Sequence, residues 1–156
     1  MKRWSELKYW QKTLVVVGAI WVVATLLPLD RSNPPVTAPL EAPPEVDAIL
    51  RRACYDCHSN ETTWPWWSYV APSSFLVTED VAGGRHELNF SHWGEMEDID
   101  RVYFREQCWE EIDHGDMPPV QYTMFREKGR LTDAEKEVIR KWAEDSWQEE
   151  EPPEGE

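Results

Sequence analysis

Cys54-Tyr55-Asp56-Cys57-His58 sets two thiols three residues apart and places an imidazole directly after the second. This C-x-x-C-H order is the attachment pattern of c-type haem. Cysteines one helical turn apart point the same way, so each can bond one haem vinyl group, while the adjacent histidine reaches the iron. The reading is therefore one covalent haem c, with Cys54 and Cys57 as its anchors and His58 as the proximal iron ligand. Two rival uses of the same residues stand beside it. Cys54, Cys57, Cys108 and His114 could form a Cys₃His zinc site, although the 108/114 pair lacks the usual finger spacing. A Cys54–Cys57 disulfide is the other, permitted in an oxidising compartment. Neither gives His58 a task. Cys108 is left over, and reads as a small buried hydrophobe on a helix.

An iron that transfers electrons needs a sixth ligand, and methionine is common in that role. Met117 is the candidate, because Gly115-Asp116-Met117-Pro118-Pro119 follows a helix and its two prolines stiffen the loop that would hold the thioether. Met124 is second, and Met96, His86, His92 and His114 are outsiders. The metal ligands expected are thus His58 and Met117.

Upstream of the pentamer, Glu45 to Tyr55 reads as a helix with Val46, Ile49, Leu50 and Ala53 on its buried stripe. Downstream, 59–95 mixes Trp, Pro, Ser and Gly and predicts short helical turns and loops rather than a sheet. A second helix is expected from Asp98 to about His114, stopped by Gly115. The last helix starts on a capping box, Thr132 with Glu135, and runs to Trp147 with Leu131, Val138, Ile139, Trp142 and Ala143 facing inward. Residues 148–156 are acidic and lack apolar side chains, and so read as a disordered tail.

Toward the N-terminus, residues 30–44 carry Pro34, Pro35, Pro39, Pro43 and Pro44 and read as a semi-rigid stalk. Residues 13–29 are uncharged and apolar, which predicts a single transmembrane helix that a cleaved signal peptide would resemble less well. Lys2, Arg3, Lys8 and Lys12 precede this run and set its orientation, with residues 1–29 as cytoplasmic N-terminus and anchor. The domain proper, 45–147, would then lie in the periplasm or extracytoplasmic space on the inner membrane.

Beyond residue 29 the chain holds 12 Lys/Arg against 29 Asp/Glu, a balance of −17. So acidic a body argues against nucleic acid as a partner, because phosphate contacts need clustered cations. It suits a basic protein surface approached by electrostatic steering, or plain solubility. Ten tryptophans are many for 156 residues, and Trp64, Trp66 and Trp67 are expected in the core or along a haem edge. No hydrolase or phosphate-binding motif occurs.

A helix ending in C-x-x-C-H, a middle region, a Gly-x-Met-Pro loop and a closing helix resemble the layout of class I cytochromes c. Ser59-Asn60, Thr63-Trp64-Pro65-Trp66, Val70-Ala71-Pro72, Asp80-Val81, Gly84-Arg85 and Leu88-Asn89-Phe90-Ser91-His92-Trp93 more particularly resemble the small bacterial haem-binding-domain cytochromes, over about 45–145. The resemblance implies a mainly α, cytochrome c-like domain around one covalent haem, with Met117 at the matching distal position. Met124-Phe125-Arg126 departs from relatives that have a His followed by Pro there. Arg85 could meet a haem propionate or make an ordinary salt bridge, and Asn89 and Ser91 look like turn or cap residues. The expected function is single-electron transfer with a redox partner protein or membrane complex, respiratory or photosynthetic, rather than enzymatic turnover. A haem sensor or peroxidase-like protein with an open sixth site is the alternative.

Overall fold

The computed structural model describes residues 4–145; the acidic tail expected at 148–156, and Trp147, lie outside the described residues. Seven α-helices and four short 3₁₀ turns carry the fold, and no strand occurs among the described residues. The helices are α1 Tyr9–Thr25, α2 Pro44–Ala53, α3 Tyr55–His58, α4 Ser73–Glu87, α5 Asp98–His114, α6 Val120–Phe125 and α7 Asp133–Glu144.

Helix α2 begins on a proline, carries Glu45 and Asp47 in its first turn and Arg51 and Arg52 in its last, each sign matched to the helix dipole. Its stripe Val46, Ile49, Leu50 and Ala53 is buried as the spacing predicts. Helix α5 has the predicted bounds, and Gly115 closes it at φ 83°, a left-handed conformation that only glycine adopts without cost. The capping box of α7 is present: Thr132 N–H donates to Glu135 Oε2 at 2.9 Å and Glu135 N–H to Thr132 Oγ1 at 3.3 Å. Ile139, Trp142 and Ala143 are its buried face. Helix α7 lies against α5 and α2, and α3 lies against α4.

Aromatic rings run through the centre. Tyr55 stacks on Phe90 at 5.2 Å and 12°, Phe90 meets Trp93 at 6.0 Å, and Trp93 meets Trp142 at 6.1 Å. This ladder joins α3 to α7 across the core, with Leu40, Ile49, Leu50 and Ile112 around it.

The structure corrects the N-terminal expectation. Helix α1 stops at Thr25, so the uncharged part from Thr13 rises only about 20 Å at 1.5 Å per residue, against a bilayer core of about 30 Å. Its last turns are tied to the domain, with Trp21 Nε1 donating to the Ala71 carbonyl at 2.7 Å and Ala71 N–H to Thr25 Oγ1 at 3.3 Å. No helix among the described residues is long and apolar enough to cross a membrane. The single-pass anchor, the membrane contact through it and the inner-membrane placement of the body therefore fall.

Residues 30–44 lie on the domain as a strap. Arg31 Nε donates to Ser68 O at 2.6 Å, Asn33 Nδ2 to Thr62 O at 3.0 Å, and Leu40 N–H to Phe90 O at 2.8 Å, with Leu40 itself in the core. Arg85 clamps the strap from α4: Nη1 donates to Ser32 O at 3.0 Å and Nη2 to Asn33 Oδ1 at 2.9 Å, while Nε reaches Ser59 O at 2.8 Å. The middle region also holds more helix than its sequence suggests. Helix α4 buries only Ser74 and Val81 and contains Gly83-Gly84, so neither periodicity nor propensity marks it; packing against α3 does.

Replacing Arg85 with alanine should release the strap without melting α5 and α7. Hydrogen exchange of residues 32–38 is expected to accelerate at least about tenfold, the effect of losing roughly 1.4 kcal/mol of local protection, while exchange in α7 stays unchanged.

Candidate functional site

Helix α3 is a single turn, and Cys54 at its N-cap, with Cys57 and His58 within it, faces a cavity of about 470 Å³. The cavity is walled by Leu50 and Ala53 of α2, Gly83 and Gly84 of α4, Leu88, Phe90, Phe104 and Cys108 of α5, and the Met117-Pro118-Pro119 loop. The intervening residues of the pentamer turn away from it. Tyr55 goes into the aromatic ladder, and Asp56 is buried among polar groups.

Gly84 lets α4 approach. A Cβ there would lie 2.7 Å from the Cys57 carbonyl oxygen, closer than any side chain tolerates. That close approach packs α4 directly on the turn that carries Cys57 and His58.

The His58 ring is oriented by Nδ1–H, which donates to the Leu88 carbonyl at 3.1 Å. A carbonyl only accepts, so the proton of the neutral ring sits on Nδ1 and Nε2 keeps its lone pair for a metal. Burial holds the His58 pKa below its ordinary 6.5, opposed by the Leu88 and Gly84 carbonyls, so the ring is neutral at physiological pH. Burial also pushes the Cys54 and Cys57 thiols up to about 12, helped at Cys57 by the Asp80 and Asp56 carboxylates.

Met117 is on the cavity wall. It is 36 % exposed, and its backbone is fixed because Asp116 N–H and Met117 N–H both donate to Glu111 O at 3.0 Å. The other expected candidates are elsewhere. Met124 is 68 % exposed and off the wall, and Met96 packs on the core. His86 is exposed beside Glu87, His92 bonds Thr37 and Asn60, and His114 sits at the exposed end of α5. Among the described residues His58 and Met117 are the cavity's only histidine and methionine.

The rival uses of the cysteines lack support in the geometry. Cys54, Cys57 and Cys108 are free thiols, and no group of three or more His, Cys, Asp or Glu among the described residues is arranged to hold a metal ion. Cys108 packs against the core as expected and also borders the cavity.

A model of the haem-binding domain matches residues 15–145. The chain belongs to the haem-binding-domain family. It is a haem protein, and haem iron is the metal it binds. No curated protein and no solved structure matches the chain, and nothing in the comparisons carries the finer class I cytochrome c kinship.

The residues present fit haem. The cavity lies within the roughly 300–1,000 Å³ of ligand sites and its walls are largely apolar, with an imidazole Nε2 and a thioether available as iron ligands. Of Trp64, Trp66 and Trp67, expected in the core or along a haem edge, none lines the cavity. Trp67 lines a neighbouring cleft against Phe125 that shares Cys57, Asp80 and Tyr122 with the cavity, Trp64 is half-buried, and Trp66 is 73 % exposed; the buried core tryptophans are Trp93 and Trp142. Arg85 meets neither a propionate position on the wall nor a surface carboxylate, since its guanidinium is committed to the strap and to Ser59 and Thr62. Asn89 is the cap expected, accepting from Ser91 N–H at 3.0 Å. Sequence reasoning missed Gly84, Leu88 and Phe90 as site residues, although all three stand inside the segments that carry the family resemblance.

Gly84→Ala should force α4 off the Cys57 carbonyl and cut haem incorporation several-fold in expressed protein, read as haem per chain. In the haem-free chain the depressed His58 pKa means that the unfolded state takes up a proton first. Stability should be full above 6.5 and fall as the pH drops below it. Denaturation midpoints between about pH 7.5 and 5 would show this fall, and His58→Gln would flatten it.

Proposed function

We propose that this chain is a mono-haem c-type cytochrome domain that exchanges single electrons with a redox partner protein, and that it is not an enzyme. The observation that carries the proposal is the coincidence on one cavity of the two pentamer thiols, His58 with its Nε2 free, and Met117 alone among the methionines of the described residues. Cys54 and Cys57 would attach the haem, and His58 Nε2 and the Met117 sulfur would hold the iron. Bound there, haem supplies a one-electron couple at its iron.

The chain's own residues set the conditions for that couple. The Leu88 carbonyl keeps the imidazole in one tautomer and orientation, so the ligand needs no rearrangement when the iron's charge changes. With both axial ligands supplied by the chain, no open position would be left for a substrate. Leu50, Phe90, Phe104 and Ile112 keep the wall apolar, which with the ligand identities tunes the potential. The net charge of −14 favours a partner with a basic surface, by faster encounter more than by tighter binding.

One observation favours a second reading. Met117 is 36 % exposed and sits in a loop, so a small ligand could displace it, as a haem sensor or a peroxidase-like protein requires.

The test is spectroscopic. Wild-type protein should keep its haem stain on a denaturing gel and show the weak long-wavelength band of ferric Met ligation, with little carbon monoxide binding. Cys54→Ser with Cys57→Ser should lose the stain, and Met117→Ala should lose the band and bind carbon monoxide readily. A wild-type iron that is high-spin and binds carbon monoxide would sink the carrier in favour of the sensor or peroxidase.

A further inference from the structure

Asp56 stands between the two attachment cysteines, and its carboxylate gathers partners from a distant part of the chain. Oδ1 accepts from Thr63 N–H at 3.0 Å, and Oδ2 accepts from the Tyr122 hydroxyl at 2.9 Å. Oδ2 also lies 3.4 Å from Arg126 Nη1 and 3.5 Å from Lys128 Nζ. The Asp56 and Arg126 side chains are only 11 % and 15 % exposed, so the pair they form is sheltered from screening. Arg126 adds a bond from Nη2 to Thr63 O at 2.6 Å. All three cation and hydroxyl partners belong to the segment that follows Met117.

Two further features show that this segment is built to deliver Tyr122 to Asp56. Gly129 has no side chain where a Cβ would stand 2.3 Å from Tyr122 Cε1, so the ring lies flat against the chain there. Burial and the adjacent Asp56 carboxylate raise the Tyr122 pKa, which keeps the hydroxyl a donor. Between Met117 and Tyr122 the chain has little slack, because Pro118 and Pro119 have fixed φ and α6 follows at once.

We infer that Asp56 is a positioning residue that ties the Met117 segment to the attachment turn, so that the fifth and sixth iron ligands are held by one polar joint. This rests on the reading of Met117 as an iron ligand. In it the pentamer's second variable position has a task of its own: the cysteines hold the haem, and Asp56 holds the loop that caps it.

Removing the joint should make Met117 easier to displace without detaching the haem. The experiment uses haem-loaded full-length protein and imidazole as the displacing probe, followed by loss of the ferric Met band. Tyr122→Phe keeps the ring on the cavity wall and deletes only the hydroxyl. The imidazole Kd is expected to fall about tenfold, which is about 1.4 kcal/mol, with the haem stain unchanged. Gly129→Ala should act in the same direction. Ile139→Val, which loosens the core on α7, should leave the imidazole Kd unchanged at equal loss of thermal stability, and so separates positioning from general destabilisation.

Should Tyr122→Phe fail to accumulate, Lys128→Gln, on a side chain 44 % exposed, is expected to lower the Kd about two- to threefold. A Met band in wild type with a Kd unchanged within measurement error in the variant measured would overturn the joint and leave Met117 as the ligand. No Met band in wild type would overturn Met117 ligation, and this inference with it.

Discussion

The stacking of Tyr55 on Phe90 is the contact on which the rest depends. Both rings are buried, and each belongs to a segment that also faces the haem cavity: Tyr55 lies between the attachment cysteines, and Phe90 is itself part of the wall. Phe90 reaches in the other direction to Trp93, and Trp93 to Trp142 on α7. Its carbonyl accepts from Leu40 and so fixes the strap. Buried aromatics carry much apolar area and pair with preferred geometry. One ring therefore sets the attachment turn relative to the closing helix and to the N-terminal strap together.

The turn Tyr55–His58, with Cys54 at its N-cap, is consequently held in place by contacts within the chain itself. Its outward side holds two thiols and an imidazole, and its inward side holds a phenol ring and a carboxylate. Gly84 brings α4 onto its back, and the Leu88 carbonyl fixes the imidazole. A haem iron changes charge at low reorganisation cost when its ligands stay still, and each of the two proposed ligands has a neighbour that restrains it. Met117 is restrained by Glu111 O at the end of α5.

Legibility in the sequence followed the strength of local signals. Helices α2, α5 and α7 were readable because amphipathic periodicity, a left-handed glycine stop and a capping box act within a few residues. Helix α4 was not, because its stability comes from packing against α3 rather than from its own stripe. The apolar run 13–29 misled for the opposite reason. Hydropathy reports composition, whereas the helix ends at Thr25 where Trp21 and Thr25 bond to Ala71, a contact fifty positions away in the chain for Trp21. Arg85 misled similarly: a guanidinium near a haem motif suggests a propionate, but the backbone carbonyls of Ser32 and Ser59 reach it first.

The identity of the chemistry was written in five consecutive residues, because thiol spacing along a helical turn is a local property that needs no fold to interpret it. Haem binding follows from them and from the family match, and the same five residues with the Met-Pro-Pro loop nominate the proposed anchors and iron ligands. Which methionine among the described residues reaches the cavity, which glycine must lack a Cβ, and which partners Asp56 meets were decided only when residues far apart in sequence came into contact, 27 positions for Gly84 with Cys57 and 66 for Asp56 with Tyr122. Those facts are long-range distances, and no window of sequence contains them.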